Sequence, residues 1–190
     1  MDATKTNILP NLLSGFLDIE ATNLKADFGI VICYCIKPAK SKKIIEKCVA
    51  PEELKSCHDR EVLKHLIENL SKFDRVVTQY GKFFDLPFLR ARALNLGLDF
   101  PPYKHLWQSD TYIIAKQKLC VSSRRLENLA RFLNIKTKKT PITSEHWLGA
   151  LMGKKKSLEY ILDHCRRDIK ILDRVYNRTY QFAAVAKTSI

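Results

Sequence analysis

Between Phe16 and Leu24 the chain reads Phe-Leu-Asp-Ile-Glu-Ala-Thr-Asn-Leu, which sets two carboxylates where an apolar segment would otherwise continue. Alternation along a strand puts Asp18 and Glu20 on one face. Two anions that close repel each other and lose solvation on burial, so a chain that carries them beside its core usually has a cation to neutralise them. All-oxygen ligands favour Mg2+ or Mn2+. The alternative at this level is a strand end with both acids facing water, and spacing alone does not choose between them. Asp59-Arg60-Glu61 repeats the spacing among polar residues, where a capped and solvated helix start is the expectation.

The 190 residues suffice for one well-buried core, and no Pro/Gly/Ser-rich break divides them, so a single domain over residues 1–190 is expected. Lysine and arginine number 33 against 20 acids, a net charge of +13. Residues 96–190 hold 18 of the bases and 8 of the acids, hence +10. Such a surface attracts polyanions, so nucleic acid is the leading partner and an anionic membrane the lesser one; a merely soluble basic protein is the bland alternative. The N-terminus lacks a basic opening, and its apolar residues Ile8, Leu9, Leu12 and Leu13 are interrupted by Pro10 and Asn11, unlike a secretory signal. The run Ile30–Ile36 is too short to cross a bilayer. Cys33, Cys35, Cys48, Cys57, Cys120 and Cys165 lack the paired spacing of a zinc site, and Cys33 and Cys35 read as buried reduced thiols. An intracellular, cytoplasmic protein without a membrane segment is expected.

Residues 12–19 and 29–36 read as strands joined by a turn over 23–27, and 43–49 supply a third, making an antiparallel meander. Val62, Leu63, Leu66, Ile67 and Leu70 recur at helical spacing from Asp59, and 75–78 form a short buried strand. Strand after helix predicts a crossover into a parallel part of the sheet. Asp85, followed by Pro87, starts a helix running to about Leu96. Helices over 111–118, 123–133 and 144–152 each begin near a Ser or Thr able to cap them, and a long helix runs over 156–180. On it His164 and Asp168 stack one turn apart. Trp107 and Trp147 read as core or half-buried packing, with base stacking as the alternative.

Taken together, these residues resemble the DEDD 3′→5′ exonucleases of the ribonuclease H-like fold, closest to the YprB-like or DNA-polymerase-B-exonuclease-like branch. The matching motifs are Asp18-Ile19-Glu20 with Thr22 and Leu24, Phe84-Asp85-Leu86-Pro87-Phe88-Leu89, and His164 through Ile169, in that order. The segments Ser122 to Leu129 and Lys138 to Pro141 are similar too, so the resemblance covers about 14–180. Two positions depart from it: Tyr80 stands where many relatives have Asn, and Asn23 where many have Gly. The implied fold is α/β, a mixed sheet of an antiparallel meander plus parallel strands flanked by helices. The implied activity is 3′→5′ hydrolysis of single-stranded or frayed nucleic acid ends, of a kind used in DNA repair.

By the same resemblance Asp18, Glu20, Asp85 and Asp168 would ligate two Mg2+ or Mn2+ ions. His164 would be the general base or water orienter. Thr22 and Leu24 would meet the terminal sugar and base. Lys82, Arg124 and Arg125 would hold the strand, with Lys154 to Lys156, Arg166 and Arg167 as further cations. With little beyond such a domain, the chain is expected to take targeting from a protein partner. Two other classes stay open: a binding module that kept the fold and lost activity, and a structure-selective endonuclease.

Overall fold

A computed structural model describes residues 12–56, 58–102, 105–137 and 141–183. Residues 1–11, Cys57, and the Lys138, Lys139 and Thr140 of the resemblance lie outside that range. Five strands form one mixed sheet: β1 (Ser14–Ala21), β2 (Val31–Pro38), β3 (Ile45–Cys48), β4 (Arg75–Thr78) and β5 (Trp107–Asp110). Their order is β3-β2-β1-β4-β5, with β1, β2 and β3 antiparallel and β4 and β5 parallel to β1. The expected meander and parallel extension are both present. The helices are α1 (Pro51–Leu54), α2 (Arg60–Leu70), α3 (Asp85–Asn95), α4 (Thr111–Lys118), α5 (Leu126–Phe132), α6 (Ser144–Leu151) and α7 (Lys155–Thr179), followed by a 3-10 turn at Tyr180–Phe182. Among the described residues no helix is long and apolar enough to cross a membrane.

Register explains how the faces of the sheet divide. Asp18 lies opposite Cys35, and Glu20 opposite Cys33, which in turn pairs with Cys48. These residues share a face with Phe16, and α7 covers it: Tyr176 meets the Phe16 ring edge-on at 5.9 Å, and Lys37 pairs with Asp173 at 2.7 Å. On the other face Leu17, Ile19, Tyr34 and Ile36 are buried, and the Tyr34 hydroxyl meets His65 Nδ1 of α2 at 2.6 Å. Cys33, Cys35 and Cys165 are buried and free, as expected of reduced thiols. The apolar stripe of α7, Leu158, Ile161, Leu162, Cys165, Ile169, Leu172, Val175 and Tyr176, is buried throughout. That stripe fixes the helix's rotation, and with it the direction of His164 and Asp168 along its edge.

Three local expectations are corrected. Asp59 precedes α2, but it is no solvated cap: it is fully buried, accepts the Val31 N–H at 2.8 Å, and takes two bonds from Arg92 of α3, at 2.6 and 3.1 Å. A buried carboxylate needs such a cation more than an exposed helix end needs a cap. The start of α4 is capped by Asp110, whose side chain accepts from Tyr112 N–H, rather than by Thr111. The start of α5 falls at Leu126 with no side-chain cap.

Candidate active site

The parallel strands β1 and β4 end on the same side of the sheet, where Phe16 pairs with Val77. Asp18 and Glu20 therefore stand just past the end of that pairing, at the edge where α/β folds place their sites. A register shift follows between Glu20 and Ala21, a bulge that twists the strand as it leaves the sheet. The helix α3 opens at Asp85 with Phe84 as its cap residue, so Asp85 occupies the first helical position. The backbone N–H groups of Asp85 itself and of Ile19, the residue between Asp18 and Glu20, favour the ionised form of its carboxylate. The late helix brings the remaining groups: His164 Nε2 lies 3.8 Å from Glu20 Oε1 and 3.5 Å from Asp168 Oδ2. The Cys165 thiol donates to the Asp18 carbonyl at 3.4 Å.

Burial and mutual repulsion dominate the electrostatics. Burial, then Glu20, Asp168 and Asp85 in turn, hold the Asp18 carboxyl well above the usual carboxylate range, against a smaller opposing contact from Cys165. Glu20 is pushed up to about 8 by burial first, with Asp168 and Asp85 adding to the rise and His164 pulling the other way. Asp85 is raised to about 7 by burial, while the two backbone N–H groups oppose and Asp110 adds to the rise. Asp18 and Glu20 thus feel the charges of Asp85 and Asp168, which come from elements far apart in sequence. Asp18 Oδ2 is wholly shielded and has no hydrogen-bond partner among the described residues. An orphaned carboxylate oxygen amid other acids is suited to a cation. Among the described residues no three His, Cys or carboxylate side chains form a ready-made metal cage.

The other residues singled out in the sequence fall around this centre. Thr22 leaves β1 with its hydroxyl accepting the Ile30 N–H at 3.0 Å, and Leu24 is exposed on the turn beyond. Asn23 builds that turn by accepting the Lys25 N–H at 3.0 Å. Lys82 is exposed in the loop between β4 and α3. Arg124 and Arg125 are exposed, and the Arg124 carbonyl accepts from Gln79 Nε2 at 2.8 Å, which ties their segment to that same loop. Arg166 does not serve the site. It makes a two-pronged bond to Glu46 of β3 at 2.6 and 2.8 Å and pairs with Glu159 and Asp163, so its charge is spent pinning α7 to the sheet. Arg167 stands 3.8 Å from Asp163. Lys154 to Lys156 are exposed at the start of α7, about two and a half turns before His164.

One residue of the site escaped the sequence reading. The buried Asp110 carboxylate accepts the N–H groups of Tyr80, Lys82 and Tyr112, each at 2.9 Å, and so fixes the loop that delivers Asp85. Gly81 of that loop packs on Thr78, where a Cβ would come within 2.4 Å of the threonine Cβ. Tyr80 is held at φ 67°, a left-handed conformation that Asn adopts more readily than Tyr.

Comparison with known proteins agrees with this architecture. The chain is 27% identical over 139 residues to a DNA polymerase of Methanocaldococcus jannaschii, an alignment covering 60% of this chain and 8% of that protein. Its fold superimposes with a TM-score of 0.61 on the family B DNA polymerase of the archaeon Pyrobaculum calidifontis, at 17% identity, covering 88% of this chain and 27% of the other. The chain therefore spans a small part of either polymerase. A family profile described as the RNase H superfamily matches residues 15–180, nearly the whole of the sheet and its helices. On that match, and with its acids in the order that fits the DEDD branch, the chain belongs to the ribonuclease H superfamily.

Proposed function

We propose that the protein is a metal-dependent 3′→5′ exonuclease acting on single-stranded or frayed nucleic acid ends. The observation that carries this reading is the late helix meeting the first strand at its acids: His164 Nε2 lies 3.8 Å from Glu20 Oε1 and 3.5 Å from Asp168 Oδ2, and the shielded Asp18 Oδ2 has no hydrogen-bond partner among the described residues. Those four side chains would hold two Mg2+ or Mn2+ ions. When bound, such ions make a hydroxide available at neutral pH and offset charge on the phosphate and leaving oxygens.

The chain's own groups do the rest. His164 Nε2 stands between Glu20 and Asp168, acids that orient the ring and stabilise it when protonated, so it can take a proton from a water at that atom. Thr22 and Leu24, on the turn leaving β1, meet the terminal sugar and base. Lys82, Arg124 and Arg125 neutralise backbone phosphates without reading sequence. Targeting by a protein partner and action in the cytoplasm complete the proposal.

The test is digestion of 5′-labelled single-stranded DNA and RNA with Mg2+ or Mn2+, comparing wild type with Asp18→Ala and with EDTA. A ladder shortening from the 3′ end, lost in the variant and in EDTA, is expected. An intact substrate, or cleavage of circular or end-blocked strands, would overturn the reading in favour of a binding module or an endonuclease respectively.

A further inference from the structure

The loop that carries Asp85 also displays three aromatic rings that the chemistry above does not use. Tyr80 and Phe83 project from it, 46% and 50% exposed, and Tyr112 of α4 joins them, half-buried. Ring centroids lie 5.1 Å apart for Tyr80 and Phe83, 4.8 Å for Tyr80 and Tyr112, and 6.2 Å for Phe83 and Tyr112. The cluster is therefore one surface. Its position is enforced by the Asp110 carboxylate, which takes the N–H groups of both Tyr80 and Tyr112. Tyr80 is kept there at φ 67°, a conformation that costs free energy for a bulky residue.

Cations frame the same surface. Lys82 lies within the loop, Lys116 one turn beyond Tyr112 on α4, and Arg124 behind Gln79, and all three are exposed. None of them makes an ion pair among the described residues. Exposed rings interleaved with unpaired cations are what unpaired bases and their phosphates require: the ring faces stack and the cations meet the backbone. An apolar protein segment would leave those cations without a counter-charge.

We propose that Tyr80, Phe83 and Tyr112 form a stacking platform for an unpaired base of single-stranded nucleic acid, with Lys82, Lys116 and Arg124 holding the flanking phosphates. This rests on the nuclease reading only for its orientation: the platform receives the strand on its way to Asp85. It also makes the protein selective for unpaired strands, since a base inside a duplex has no free face to offer.

The experiment is anisotropy of a fluorescent single-stranded oligonucleotide with the full chain in EDTA, so that binding is read without cleavage. An abasic strand of equal length and a blunt duplex serve as controls. Tyr80→Asn removes one ring and relieves the left-handed strain, so the variant folds at least as well as wild type; Phe83→Ala removes a second ring. Each is expected to weaken binding of the normal strand about tenfold, the loss of one stacked base, and to leave abasic and duplex binding unchanged. Equal affinity of wild type and both variants, an equal loss on the abasic strand, or no binding of the normal strand by wild type would overturn the platform. Ring-dependent binding in a protein that never cleaves would leave the platform standing and remove the nuclease, whereas 3′ shortening with ring-independent binding would do the reverse.

Discussion

The Cys165 thiol donates to the main-chain carbonyl of Asp18 at 3.4 Å, joining the late helix to the first strand beside the carboxylate cluster. Cys165 is fully buried, so the distance between α7 and β1 is set by a side chain with no room to grow. Cys165→Leu should force the helix outward and cost about 1–3 kcal/mol of stability. Asp168 and His164 ride on that helix, so cleavage should fall further than the loss of folded protein explains. Cys165→Ala, which leaves the helix seated, should keep most activity. Denaturant unfolding and strand digestion of the two variants would check this, and equal activity in both would count against it.

Asp59 and Arg92 form a buried pair that ties α3 to the residue before α2. Arg92→Met leaves a shielded carboxylate without its cation and should cost about 3–5 kcal/mol, while adding Asp59→Asn should restore a large part of it. A double-mutant cycle by urea unfolding measures the coupling, and simple additivity would show that the pair does not act as a unit.

Asp110 bonds to the N–H groups of Tyr80, Lys82 and Tyr112. An Asn cannot accept all three, because its amide nitrogen is a donor. Asp110→Asn should therefore cost about 1–3 kcal/mol and loosen the loop ahead of Asp85. Hydrogen exchange should rise at residues 79–84 first, and a global rise with no local excess would contradict the assignment.

These relations mark where the sequence was legible. The strands β1 and β2 and the helices α2 and α7 carry apolar patterns strong enough to be read directly, whereas the four acids stand out only through their order in the family resemblance. The strand β5 was missed because Trp107-Gln108-Ser109-Asp110 holds a single apolar residue and becomes a strand only by pairing with β4. Asp110 was hidden for a related reason, since two of its partners lie about thirty residues earlier. The sequence reads Arg166 as a strand-holding cation and Asp59 as a solvated helix start, because a charged side chain carries no sign of its distant partner: Glu46 stands 120 residues from the first, and Arg92 33 from the second. Tyr80 was visible as a departure, but only its backbone angle shows why Asn would be at ease there.

The carboxylates make the metal-free protein's stability fall with rising pH. Glu20 moves from an ordinary 4.5 to about 8 in the folded chain, and Asp85 from 3.8 to about 7, burial being the first cause of both. Because the folded values lie above the unfolded ones, the folded state holds these protons more tightly. The stabilisation is complete below about pH 4 and is lost as the pH rises through 7 and 8. Measured in EDTA, the midpoint of thermal unfolding should decline across that window, and Glu20→Gln should flatten the decline. Mg2+ or Mn2+, which compete with those protons, should raise the midpoint more at pH 8 than at pH 5.5. A midpoint that climbs across the same window in EDTA, or a metal effect larger at the acid end, would mean that Glu20 and Asp85 do not hold their protons in a buried, metal-binding site.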